Sequence, residues 1–489
     1  MNVLHYSPLI MPTITKEHSK LYDADEISDK VANLSTSLVK SEMLKSIQRM
    51  ADRQVLVFNS DKLADKCSEV SDTLAMARQI ALSKMVGKKS SEAFALMNLG
   101  TIVERFVEWK QVLPRVKPFY AVKCNTDPVL LSVLSKLGAG FDCASKAELE
   151  TITNHSLANN DRIVYANTCK TPAYIEYAEL IGIRKMTFDC AEELFKMQKH
   201  HSNPQVILRI DVTDPSATRP LDIKFGCDYI KTAPQLLRLA KQMSMEVVGI
   251  SFHVGSGCQD AHIFTKAIGI ARDLFDLGKT IGHKNMHTLD LGGGFPGCDH
   301  EKKFFRDVAA VIRDALELYF PVTAEENVEV IAEPGRYFAS EPTSVCAAVI
   351  GATRVPASKL STKPEDADRD GYMYYLDDGV YGSFSCLSSQ LYTSLPKGQS
   401  LFEEAEEPSS PVRKVSYPSV VWGPTCDSRD QVEKLSELSR WQVGDWIYYA
   451  NMGAYTAATT TCFNGFKRPA IYYVVGDKCW TNMNKRSNA

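Results

Sequence analysis

The chain has no run of about 18 apolar residues that would suggest a transmembrane helix, and Met1–Lys20 lacks the basic-then-apolar order of a secretory signal. It also has no excess of charge. With a formal net charge of −3 over 489 residues, it carries no electrostatic footprint for nucleic acid. None of the 13 cysteines stands in closely spaced zinc-finger pairs, and their number is odd. That argues against a metal centre and fits reduced thiols in a cytoplasmic protein. Finally, residues 1–90 lack strong apolar periodicity. Ser41–Ala51 and Asp72–Ala81 suit short helices, but the segment carries no recognisable chemistry and reads as a partly ordered N-terminal extension.

What is present is ordinary globular material, 44% hydrophobic and 24% charged, in a chain long enough for two or three domains. Ala93–Leu99, within residues 91–99, reads as one strand that joins a later β domain. From about 100 to 340, short β-branched runs recur at Phe119–Val122, Arg162–Tyr165, Met186–Phe188, Val206–Ile210, Val247–Phe252, Thr288–Leu291 and Val328–Ala332. Helical stretches such as Pro128–Leu137, Pro234–Met243 and Phe264–Ile281 lie between them. That alternation predicts parallel βαβ units, and their number fits an α/β fold of the (β/α)8 barrel type. A doubly wound sheet is the structural alternative. Over 341–489 the helices thin out, and Val345–Val355, Tyr372–Leu376, Ser419–Trp422, Trp446–Tyr449 and Ala470–Val475 predict a C-terminal all-β domain of Greek-key or sandwich type. Two polar stretches, near 358–370 and 396–413, read as mobile surface insertions.

Five segments carry candidate chemistry. In Pro118–Asn125 (PFYAVKCN), Lys123 closes an apolar strand. There burial lowers an amine's pKa and makes it a Schiff-base nucleophile. In Asp290–Gly297 (DLGGGFPG), three consecutive glycines let backbone N–H groups approach a phosphate. In Ala332–Arg336 (AEPGR), Arg336 suits a phosphate clamp, and Glu333 suits pairing with the protonated ring nitrogen of a pyridoxal phosphate, which keeps that ring an electron sink. In Ser251–Gly257 (SFHVGSG), His253 is placed to stack on a cofactor ring and Ser256 to bind phosphate. In the β domain, Trp422–Asp427 (WGPTCD) holds Cys426 beside an acid, and Tyr455 of Asn451–Tyr455 can give its hydroxyl to phosphate. Each segment has a plainer explanation: a surface lysine, a tight turn, a rim salt bridge or a structural histidine. Their convergence on one face of one barrel carries the argument.

Together with Phe141–Ser145 (FDCAS), Asp377–Phe384 (DDGVYGSF) and NMGAYT, these segments resemble the ornithine decarboxylase family of barrel-fold pyridoxal-phosphate enzymes, in the family's order from about 90 to 480. The resemblance implies an L-amino-acid decarboxylase, and L-ornithine to putrescine and CO2 as the family reaction. It implies Lys123 as the cofactor's covalent anchor, supported by Asp142 and Glu148, with Arg209 beside the pocket. His253 would lie on the ring face and Glu333 at its nitrogen. Ser256, Gly292, Gly293, Gly294, Arg336 and Tyr455 would hold the phosphate. Cys426 would return a proton to the substrate α-carbon. Cys426 and Asp427 would reach a partner's site, implying a head-to-tail homodimer.

One departure bears on the substrate. Where ornithine decarboxylases carry an aspartate for the distal ammonium, ungapped alignment places Gln390, and a three-residue insertion places Thr393. Only Asp427 remains of the acidic pair. A charged hydrogen bond is worth roughly 1.5–3 kcal/mol, so its loss predicts a specificity shifted or broadened toward a larger, neutral or aromatic amino acid. The other reading, which family membership favours, keeps ornithine, with Asp427 and a water sufficing. A regulatory homologue without catalysis would be expected to have lost parts of the cofactor set, all of which is present. A racemase or a diaminopimelate decarboxylase fits the GPTCD and FHVGSGC contexts less well.

Overall fold

The computed structural model describes residues 55–58, 70–86, 92–219, 224–322, 328–402 and 415–476. Its strands, in chain order, are β1 (Val55–Phe58), β2 (Phe94–Asn98), β3 (Val116–Ala121), β4 (Gly140–Cys143), β5 (Ile163–Tyr165), β6 (Lys185–Phe188), β7 (Gln205–Arg209), β8 (Glu246–Ser251), β9 (Thr288–Asp290) and β10 (Glu329–Ala332), then β11 (Thr343–Pro356), β12 (Asp370–Leu376), β13 (Gly398–Ser400), β14 (Tyr417–Trp422), β15 (Gln431–Leu438), β16 (Trp446–Tyr449) and β17 (Ala470–Gly476). Strands β3 to β10 close into a parallel barrel, with β10 pairing β3 through Val330–Val116, Ile331–Lys117 and Ala332–Pro118. The expected (β/α)8 barrel is therefore the observed one. Phe119, Val164, Ile207, Val248 and Ile331 fill a buried layer of their own, as a barrel interior packed by side chains requires.

Local signals set the helices that space these strands. Asp127 caps Pro128–Leu137 by accepting from the N–H groups of Val129 and Leu130 at 2.9 and 3.2 Å, and the helix stops at Gly138 with φ +94°. A proline in the first turn and a left-handed glycine at the end are the expected punctuation. Ser145 caps Lys146–Asn154 in the same way, while Glu148 reaches back to the N–H of Ala144 at 2.6 Å. That cap keeps the Glu148 carboxyl at the end of β4, beside Asp142.

The second unit is a nine-stranded sheet of order β1-β17-β2-β11-β12-β14-β15, with β16 on β11 and β13 on β16. Strand β11 organises it. Its first half pairs with β2 and β16, and after an irregularity between Val349 and Gly351 its second half runs beside β12.

Three expectations are revised. Part of the N-terminal 90 residues is packed rather than appended. β1 pairs in parallel with β17, and helix Val70–Val86 buries Met76, Ala77, Ile80 and Ala81 against Phe94, Leu96, Ala348 and Trp446. The helix expected at 41–51 lies outside the described residues. The charged stretch 358–370 is an anchored turn: Asp366 is 2% exposed, and Arg369 joins it at 2.7 Å to Glu437 at 2.9 Å. Of the stretch 396–413, Gly398–Ser400 is a strand on β16, and 403–413 lie outside the described residues. Pattern reading also passed over β4, β13 and β15, which are short or polar.

Candidate active site

The sequence-selected residues gather at the C-terminal ends of the barrel strands, where this architecture places chemistry. Lys123 follows β3, Asp142 lies in β4, Arg209 ends β7, His253 follows β8, Gly292–Gly294 follow β9, and Glu333 and Arg336 follow β10. Tyr455 arrives from the β domain, its N–H donating to the Cys124 carbonyl at 2.9 Å. Its φ is +57°, a left-handed backbone that a bulky residue rarely adopts and that surrounding structure must hold.

Lys123 donates from Nζ to Asp142 Oδ2, and Asp142 is fully buried. Burial pulls the lysine ammonium down, but Asp142, with Glu333 and Tyr455, outweighs it and holds the pKa above the ordinary value. This corrects the expectation of an amine activated by burial alone. The amine sits among carboxylates as an ammonium and must shed a proton before it can attack.

His253 behaves oppositely. Burial, then Arg209 and Lys123, depress it well below the ordinary histidine value, so the ring is neutral. Its Nδ1 accepts from the Gly255 N–H at 3.0 Å, which leaves the proton on Nε2. Glu333 is lifted well above the carboxylate range by burial, Asp142 and Asp290, against Lys123 and Arg209. Glu148 is raised by burial, and the Tyr455 phenol is pushed by burial to about 12.

Two observations test whether these residues fit a phosphorylated, cationic ring. A Cβ on Gly293 would lie 2.6 Å from His253 Nε2 and 3.2 Å from the Glu333 carbonyl, so the glycine loop is a cradle open to nothing larger than backbone. Asp142 Oδ1 and Arg336 Nε are buried without partners, an expensive arrangement unless a ligand completes it. Beside them Arg336 Nη2 donates to Ser256 Oγ at 3.3 Å and its guanidinium lies 5.2 Å from the Tyr455 ring. Pyridoxal phosphate fits this donor set: carboxylates for a ring nitrogen, an imidazole, and an arginine with glycine N–H groups for a phosphate.

Three predicted residues lie apart from this set. Cys426 is exposed, and its N–H and Sγ donate to Asn464 Oδ1 at 3.1 and 3.3 Å rather than toward the barrel rim. Asp427 accepts from Tyr381 and from Arg429 Nη2, the latter at 2.7 Å. Gln390 is exposed, its φ is +53°, and its carbonyl accepts from Arg219 Nε at 2.6 Å. Thr393 stands closer to the rim, its Cγ2 3.1 Å from where a Cβ on Gly257 would be. Gln390 thus serves a turn, and the position facing the His253 loop is the threonine.

Sequence reading missed three side chains. Asp290, inside a quoted motif, is a buried acid beside Glu333. Arg219 pins the Ser389 and Gln390 carbonyls at 2.9 and 2.6 Å. Asp430 holds the Cys426 loop, accepting from the N–H groups of Val380 and Thr425 at 2.8 and 2.9 Å. Only the proximity of Asp430 to Cys426 in the chain was a cue. Among the described residues no cluster suits a metal ion and no helix is long and apolar enough to cross a membrane.

A lysine at the end of a barrel strand, a glycine cradle and a buried acid suit a pyridoxal-phosphate-dependent enzyme, and comparison with known proteins makes the class amino-acid decarboxylase. Residues 99–340 match the model of the pyridoxal-dependent decarboxylase pyridoxal-binding domain. The ornithine decarboxylase of Panagrellus redivivus is 49% identical over 86% of this chain and 94% of its own length. Antizyme inhibitor 2 of Xenopus laevis is 42% identical over 80% and 82%. The arginine decarboxylase of Paramecium bursaria Chlorella virus, solved with agmatine, superimposes with a TM-score of 0.72 at 33% identity, over 82% of this chain and all of that one. The chain belongs to the ornithine decarboxylase family.

Proposed function

We propose that this enzyme decarboxylates an L-α-amino acid whose side chain is larger, neutral or aromatic rather than the ammonium-tipped chain of ornithine, and that it works as a homodimer. The observation that carries this reading is the run after Phe384: neither Gln390 nor Thr393 supplies a carboxylate for a distal cation. The runner-up, ornithine as substrate, rests on the similarity to ornithine decarboxylases. The similarity to an antizyme inhibitor raises a third reading, without catalysis. Against it stands the complete set of Lys123, Asp142, His253, Gly292–Gly294, Glu333, Arg336, Cys426 and Tyr455.

When bound, pyridoxal phosphate supplies the electron sink into which the bond to the departing carboxylate is delivered. The chain's own residues do the rest. Lys123 would pass its proton to Asp142 and hold the cofactor through Nζ. Glu333 would pass its proton to the ring nitrogen and face it as a carboxylate, and the neutral His253 would lie against the ring. Arg336, Ser256, Tyr455 and the glycine N–H groups would hold the phosphate. Once CO2 has left, Cys426 Sγ of a second copy hands a proton to the α-carbon. The exposed position of Cys426 supports this sharing of sites, because a single chain leaves it far from use.

The test is CO2 release by cofactor-loaded protein with ornithine, lysine, arginine, phenylalanine, tyrosine and tryptophan side by side. A neutral or aromatic amino acid should be preferred, and Lys123→Ala should abolish turnover and the cofactor's absorbance band. Preference for ornithine would refute the shifted specificity. No turnover of any amino acid by the cofactor-loaded wild type would favour the regulatory reading.

A further inference from the structure

We propose that Arg429 determines side-chain specificity: it cancels Asp427 and presents a donor to an uncharged oxygen at the far end of the substrate. This rests on the reading that the Cys426–Asp427 segment completes an active site. Both Asp427 oxygens are occupied from within the chain. Oδ1 accepts from the Arg429 N–H at 2.9 Å and from its Nε at 3.2 Å. Oδ2 accepts from Arg429 Nε at 3.1 Å, from Arg429 Nη2 at 2.7 Å and from the Tyr381 hydroxyl. A carboxylate has about four lone-pair sites, so little is left for a substrate ammonium, and the charge it would need is already neutralised.

Arg429 itself is not consumed. Its side chain is 82% exposed, and its bonds use Nε, Nη2 and the backbone N–H, leaving the two Nη1 hydrogens without a partner among the described residues. The neighbouring surface is aromatic: the rings of Tyr381 and Phe463 meet with centroids 4.7 Å apart at 38°. An apolar wall ending in a guanidinium edge, with no net charge in the pair, selects an amino acid whose side chain is uncharged and ends in a carbonyl or similar acceptor. It disfavours a terminal ammonium, which would face Arg429 at close range. The loop is rigid enough to discriminate, because Asp430 also takes the Thr425 hydroxyl at 2.7 Å.

Three L-amino acids separate the possibilities when given to cofactor-loaded full-length enzyme: citrulline (uncharged acceptor), norleucine (apolar) and ornithine (ammonium). Citrulline should have a kcat/KM at least about tenfold above ornithine, the worth of a charged hydrogen bond. In Arg429→Leu, which frees Asp427, the ratio should invert, with ornithine gaining and citrulline losing through KM, while Arg429→Lys should keep the wild-type order. A folding defect would lower both substrates together and leave their ratio alone. An unchanged ratio in Arg429→Leu, or ornithine preferred by the wild type, would overturn the role of Arg429 while leaving the decarboxylase intact. Wild-type protein that binds pyridoxal phosphate and turns over none of the three, nor any of the six amino acids above, would remove the parent reading and this one with it.

Discussion

The crowding of three carboxylates under the glycine loop has a measurable cost in the protein without cofactor. Asp290 is fully buried and accepts one N–H, from Gly292 at 2.9 Å. Burial lifts it to about 6 from an ordinary 3.8, despite that N–H. Below pH 4 it is protonated in both folded and unfolded chains. Between about 4 and 6 the unfolded chain ionises first while the folded chain keeps its proton, so stability falls as pH rises, and above 6 the loss is complete. At about 1.4 kcal/mol per pKa unit, the loss is at most about 3 kcal/mol. The Asp290→Asn variant keeps an oxygen for Gly292 and carries no charge. It should unfold at higher urea than wild type at pH 7.5, by up to that amount, and the difference should shrink toward zero at pH 4. Urea midpoints of apoprotein at several pH values measure this, and adding pyridoxal phosphate at pH 7.5 should narrow the gap, because a cationic ring nitrogen stabilises the ionised acids. Parallel pH profiles for wild type and variant would refute the reasoning.

Two further substitutions test the architecture. Gly293→Ala places a Cβ 2.6 Å from His253 Nε2; such overpacking costs about 1–3 kcal/mol. Cofactor affinity followed by absorbance titration should fall by at least about tenfold, and an unchanged affinity would count against the cradle. Asp430→Ala strands the buried N–H of Val380, worth about 1–3 kcal/mol, and the half-buried N–H of Thr425. It should lower the melting temperature and slow turnover while the cofactor band persists; loss of the band instead would mean that the loop supports the barrel site directly.

The barrel was legible because its strands are buried on both faces and therefore read as continuous apolar runs between periodic helices. Its rim chemistry was legible because glycine triplets, strand-end lysines and strand-end acids are compact local signals. The weak readings were those in which distant segments decide the outcome. Val70–Val86 has little amphipathic pattern of its own, and its place comes from Phe94 and Trp446. The 358–370 turn looked mobile until Arg369 met Glu437, 68 residues away. Strand β15 alternates too many charges to be recognised, and it forms because β14 offers it an edge.

By itself the sequence determined the two-domain order, the pyridoxal phosphate cofactor and most of the residues that gather at the barrel rim, because short motifs fix backbone shape and chemical type together. Only the tertiary structure decided their states and partnerships. Lys123 is held as an ammonium because Asp142, a strand away, outweighs burial. Glu333 is lifted well above the carboxylate range because burial, with Asp142 and Asp290 nearby, disfavours its charge. Asp427 is spoken for because Arg429 and Tyr381 converge on it. Charge interactions depend on separation in space and on exclusion of water, and neither is written in the order of the residues.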